Sequence, residues 1–84
     1  GETFYGIVNG VVSKGLFVEI EENKCEGFVP KDALPHDHYV YDEDIQALVG
    51  ARHGKSYSMG DRIAIRVVAA DLAKRQLEFD IPEV

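Results

Sequence analysis

Hydrophobic and polar positions alternate with a period of two along much of this chain. The clearest stretch is Gly15-Leu16-Phe17-Val18-Glu19-Ile20, where Leu16, Val18 and Ile20 share one face of a strand and Phe17 and Glu19 share the other. Phe17 thus falls on the face its own strand marks as wet. An aromatic ring there either covers a neighbouring strand or meets a flat partner such as a nucleobase. The same period places Ile63, Ile65 and Val67 against Arg62, Ala64 and Arg66, in a strand running to Asp71. It also places Leu77, Phe79 and Ile81 against Gln76, Glu78 and Asp80.

Two further strands complete the pattern. Thr3 to Val12 is rich in β-formers but holds Gly6 and Gly10, as a bent strand at a barrel corner does. Cys25 to Pro30 reads as a strand with Val29 inward and Phe28 on the opposite side, ended by Pro30, which has no N–H to give a ladder. Lys31-Asp32-Ala33-Leu34 suits one helical turn before Pro35. The turns Ser13-Lys14-Gly15, Glu21-Glu22-Asn23-Lys24 and Leu72-Ala73-Lys74-Arg75 are short. Five short strands joined this way, with no long helix, predict an all-β, five-stranded antiparallel barrel.

Residues 35–61 are too long for a bare connection in a compact domain. Ala47-Leu48-Val49-Gly50 and Lys55-Ser56-Tyr57-Ser58 flank a turn containing His53-Gly54. They predict a hairpin inserted between the third and fourth main strands.

The length of 84 residues allows one domain with one modest core. Composition, at 45% hydrophobic and 29% charged, is that of a globular protein. No run approaches the ~20 apolar residues of a bilayer span, so no membrane partner is expected. Cys25 is the single cysteine, which excludes an internal disulfide framework and suggests a cytoplasmic setting. A start at Gly1, with strand-like sequence almost at once, suggests that 1–84 is a single domain excised from a larger protein.

Net charge is −6, which opposes phosphate binding over a broad surface. The charge is unevenly spread: residues 1–30 carry −3, residues 31–50 carry −4 and residues 51–84 carry +1. Any nucleic-acid contact must therefore be local and assisted by stacking.

Candidate chemistry is sparse. Gly50-Ala51-Arg52-His53-Gly54-Lys55-Ser56 imitates a phosphate-binding loop but has three residues between its glycines where four are needed, and no helix follows. His36-Asp37-His38 offers two imidazoles without the three or four converging ligands of a zinc site, so no cofactor is expected for this domain. The carboxylate groups Glu19-Ile20-Glu21-Glu22 and Asp42-Glu43-Asp44 read as solvated faces. No Ser or Cys is paired with an activating His, so the chain is not expected to be an enzyme on its own. What remains is an aromatic and basic set: Phe17, Phe28, Tyr39, Tyr41, Lys14, Arg62, Arg66, Lys74 and Arg75. These residues either cover barrel ends and solubilise the surface or hold a single strand.

Five pieces in order resemble an S1-type RNA-binding domain, an oligonucleotide-binding (OB-fold) barrel. They are Gly6-Ile7-Val8, Gly15-Leu16-Phe17-Val18-Glu19, Glu26-Gly27-Phe28-Val29, Gly60-Asp61-Arg62-Ile63, and Val67-Val68-Ala69-Ala70-Asp71 ending near Arg75-Gln76-Leu77. The insertion, with His38-Tyr39-Val40-Tyr41-Asp42-Glu43 and Gly54-Lys55-Ser56-Tyr57-Ser58-Met59-Gly60-Asp61, is similar to that of the carboxy-terminal S1 domain in the ribonuclease R family of 3′-to-5′ exoribonucleases. The resemblance implies single-stranded RNA and the other domains of the parent nuclease as partners. It also implies that RNA hydrolysis belongs to a separate Mg²⁺-dependent catalytic domain. Residue by residue, it implies stacking by Phe17 and a backbone-holding pair in Asp71 and Arg75, with Lys74 beside them. Phe28 matches a ring of the Gly-Phe-Leu-Pro variant found in ribonuclease E. Lys14 stands where many members have an aromatic, offering a phosphate contact instead, and Pro30 stands where many have His.

Two other readings compete. An acidic barrel could dock on a basic protein partner, or the S1 domain could belong to a translation or transcription factor.

Overall fold

Strand pairing closes the alternating segments into a barrel, so that the apolar face of each strand looks inward. The computed structural model describes residues 2–34, 37–71, 73 and 76–82, with the backbone alone at Asp71. Its strands are β1 (Thr3–Val12), β2 (Gly15–Ile20), β3 (Glu26–Pro30), β4 (Tyr39–Asp42), β5 (Ala47–Gly50), β6 (Ser56–Ser58), β7 (Arg62–Asp71) and β8 (Gln76–Asp80). A 3₁₀ turn at Lys31–Ala33 follows Pro30. No helix among the described residues is long and apolar enough to cross a membrane.

The closed barrel runs β1-β2-β3-β8-β7. Four of its pairings are antiparallel, as expected, and β3–β8 is parallel. The parallel pairing matches Gly27 with Leu77 and Phe28 with Glu78. The approach at this seam is close. A Cβ on Gly27 would lie 2.5 Å from Phe79 Cζ and 2.7 Å from the Leu77 carbonyl oxygen. Only glycine lets the fully buried Phe79 ring pass under this seam.

β1 bends as its glycines suggest, with a bulge between Val8 and Gly10 in its pairing with β2. A second bulge interrupts β7 between Val67 and Ala69. The barrel core is Val8, Leu16, Val18, Ile20, Val29, Ile65 and Phe79, all essentially inaccessible.

The insertion holds the expected hairpin, with Ala47 opposite Ser58 and Val49 opposite Ser56. It is larger than expected. Tyr39–Asp42 adds a third strand, pairing Tyr39 with Gly50 and Asp42 with Ala47. This sheet shares the barrel's hydrophobic core through Tyr39, Leu48 and Tyr57, joined by Leu34 after the 3₁₀ turn. Tyr39 and Tyr57 pack with ring centroids 5.5 Å apart, and burial raises both phenols above their usual range. Two backbone bonds with Val8, from its N–H to the Asp61 carbonyl and from the Gly60 N–H to its carbonyl, tie the insertion's exit to β1.

Asp37 pins the entry. Its carboxylate accepts from the backbone N–H groups of His38 (2.7 Å), Arg52 (2.9 Å) and His53 (2.8 Å). Desolvation alone would raise this carboxyl, but the bonds from His53, Arg52 and His38 outweigh it and hold it below the usual range. A backbone bond from Ala51 to the His38 carbonyl (2.8 Å) secures the same crossing.

Candidate nucleic-acid interface

Register sets one outer row of the barrel. Gly10 pairs with Phe17, Phe17 with Phe28, Phe28 with Glu78, and Glu78 with Ala69. The strands have no choice here, because Leu16, Val18 and Val29 fill the interior and turn the residues between them outward.

Each aromatic leans over a glycine on the neighbouring strand. The Phe17 ring lies 3.4 Å from where a Gly10 Cβ would be. The tip of Phe28 lies 2.7 Å from where a Gly15 Cβ would be. A Gly15 side chain would also strike the Val29 carbonyl, so this crowding is set by backbone and cannot relax by rotamer change. The two rings meet with centroids 5.0 Å apart and planes tilted by 58°. Both remain half-buried, each with part of its surface open to solvent. Phe17 therefore covers a neighbouring strand and still has ring surface open to solvent.

The face is electrostatically graded along the strands. One row towards the β2–β3 hairpin stand Glu19 and Glu26, directly paired, with the Asn9 amide donating to Glu26 at 2.7 Å. Beyond the rings in the other direction stand Gly15 and Pro30, then Lys14 and Lys31. The Lys31 N–H donates to the Lys14 carbonyl at 2.8 Å, which fixes the two residues side by side. Glu19 and Glu26 thus border the aromatic pair towards the hairpin, and at the other end the strands run into Lys14 and Lys31.

Several members of the aromatic and basic set stand elsewhere. Tyr39 is core, with only 3% of its surface exposed. Arg62 makes a two-pronged contact with Glu21, Nε to Oε2 at 2.9 Å and Nη2 to Oε1 at 3.2 Å, and lies 4.0 Å over the Tyr5 ring. This bond holds Glu21 below the usual carboxylate range and raises Arg62. Arg66 binds Asp80 likewise, at 2.9 and 2.6 Å, and lowers its carboxyl. Tyr41, half-buried, faces the inserted sheet's groove. Asp71 ends β7, while Lys74, Arg75 and His36 lie outside the described residues. Lys31 and Asn9 were not singled out from the sequence. The signal for Lys31 was its place directly after Pro30, and Asn9 is brought round by the β1 bulge.

Among the described residues no three His, Cys, Asp or Glu side chains converge to hold a metal ion. The aromatic pair offers open ring surface suited to flat ligands.

Comparison with known proteins agrees with this geometry. The sequence model of the S1 RNA binding domain matches residues 1–81. Ribonuclease R of Aquifex aeolicus is 46% identical over 83 residues, which are 99% of this chain and 12% of that protein. Ribonuclease R of Escherichia coli is 32% identical over 81 residues, 96% of this chain and 10% of that protein. The chain thus spans about a tenth of the curated relatives it matches. Mycoplasma genitalium RNase R, solved in complex with ribose methylated single-stranded RNA, superposes with a TM-score of 0.91 over 98% of this chain and 13% of its own, at 24% identity, which establishes the shared fold. The chain belongs to the S1 RNA binding domain family.

Proposed function

We propose that this chain grips single-stranded RNA, with little sequence preference, as the non-catalytic RNA-binding domain of a ribonuclease R-like 3′-to-5′ exoribonuclease. The observation that carries the reading is the Phe17–Phe28 pair, half-exposed on the barrel's outer row and seated over Gly10 and Gly15. Stacking supplies ~1–3 kcal/mol per base without reading its identity, as a degradative grip requires. The ribonuclease R names of the relatives, and the single-stranded RNA bound by a structural neighbour, support the same assignment. Hydrolysis and its Mg²⁺ belong on this reading to a separate catalytic domain, and this domain needs no cofactor. Asp71, Lys74 and Arg75 remain proposed contacts to the RNA backbone. The exposed thiol of Cys25 suits a reducing, cytoplasmic setting.

A second reading has one observation in its favour. Glu19, Glu26 and Glu78 border the aromatic pair, as a surface docking on a basic protein would have it. Chemical-shift mapping with a short single-stranded oligonucleotide separates the two. Shifts at Phe17, Phe28 and Lys14 support RNA gripping, whereas an unperturbed spectrum at low salt favours protein docking.

A further inference from the structure

The inserted sheet and the barrel enclose an open groove of about 820 Å³, within the range of small-molecule sites. Ser13 and Lys31 of the barrel face His38, Tyr41, Asp42 and Val49 of the insertion across it. The barrel alone has no such groove, because the opposite wall is β4, β5 and the turn beyond.

Two short links join the groove to the aromatic pair. Ser13 lines the groove, and Gly15, two residues on, lies beneath the tip of the Phe28 ring. Lys31 also lines the groove and follows Phe28 by three residues, roughly 10 Å of extended chain. The bond from the Lys31 N–H to the Lys14 carbonyl holds the two links together. A strand that stacks on Phe17 and Phe28 and leaves by the cationic side is delivered to the groove's mouth.

We propose that this groove is a further nucleotide subsite, taking the next one or two nucleotides of the same RNA strand. The inference rests on the RNA-gripping reading and extends it to the insertion. Charge is graded for such an occupant. Lys31 lines the barrel side of the groove, with Lys14 bonded to it through the backbone, and Asp42 and Glu43 stand on the insertion's wall. Carboxylates there repel phosphate but accept hydrogen bonds from base amino groups. His38, exposed, and Tyr41, half-buried, supply the flat side chains on which a base stacks.

The test is chemical-shift mapping of the 84-residue chain with two oligoadenylates, one of about four nucleotides and one of about eight, spanning the lower range of OB-fold site sizes. The shorter strand is expected to move Phe17 and Phe28. The longer strand is expected to move Ser13, Lys31, His38 and Val49 as well. Lys31→Ala and His38→Ala should each lower the ratio of long-strand to short-strand affinity by roughly five-fold or more. Shifts confined to Phe17 and Phe28 with both strands, or an unchanged ratio in both variants, would overturn the subsite and leave the RNA reading standing. Silence with either strand would overturn both.

Discussion

Phe17 and Phe28 are direct partners across the β2–β3 pairing, with ring centroids 5.0 Å apart. Neighbouring rings of this kind attract each other by about 0.5–1.5 kcal/mol beyond the area they bury. Here that attraction sets the rings at a fixed tilt, each over a glycine, before any ligand arrives. Little ordering is then left for binding to impose.

Gly27 has no room for a side chain at the β3–β8 seam. Replacement by Ala puts a methyl group 2.5 Å from Phe79 Cζ and 2.7 Å from a backbone oxygen of β8. Overpacking of this kind costs about 1–3 kcal/mol, and the backbone contact places Gly27→Ala at the upper end. Urea unfolding should show a midpoint shift of that size. An unchanged midpoint would mean that the β3–β8 seam can open without loss.

Acid should loosen the molecule below about pH 4. Asp37, Glu21 and Asp80 are each held below their usual range, by backbone N–H groups, by Arg62 and by Arg66 respectively. A carboxyl with a lowered folded pKa adds stability that is present above its unfolded value, ~4, and is lost as pH falls through the folded value. Asp37→Asn should flatten this acid limb and disturb the amides of Arg52 and His53 first. An acid limb identical to the parent's would show that Asp37 does not anchor the insertion.

Salt should weaken RNA binding only mildly. With net charge −6 and Arg62 and Arg66 engaged by Glu21 and Asp80, phosphate contacts fall to a few lysines and arginines. For about two to four contacts, log affinity should fall against log salt with a slope of roughly −1.4 to −2.8. A much steeper slope would point to a broad cationic surface that the described residues do not form.

The barrel was legible in the sequence because its strands are half-buried and alternate, so period two marks Leu16, Val18, Ile20, Ile65 and Phe79 directly. The hairpin of the insertion was legible for the same reason. The strand Tyr39–Asp42 was not, since it is short and follows the polar run His36-Asp37-His38, which local pattern assigns to a loop. Parallel closure between β3 and β8 joins segments some fifty residues apart and leaves no local signature beyond Gly27. The aromatic and basic set was only partly legible. Type alone could not tell that Tyr39 stacks in the core on Tyr57 while Phe17 keeps an open face. Nor could it tell that Arg62 meets Glu21 across β1, which pairs with both β7 and β2, and that Arg66 meets Asp80 across the β7–β8 pairing.

The central claim is that the Phe17–Phe28 pair is an RNA-stacking surface, and its most direct test is the affinity of Phe17→Ala for an unstructured oligoribonucleotide. The ring is half-exposed and outside the hydrophobic core, so the variant should keep the parent's fold by circular dichroism. Its affinity should fall by ~1–3 kcal/mol, roughly 5- to 150-fold, with a similar loss for Phe28→Ala. Affinity equal to the parent's in a folded Phe17→Ala variant would contradict the account.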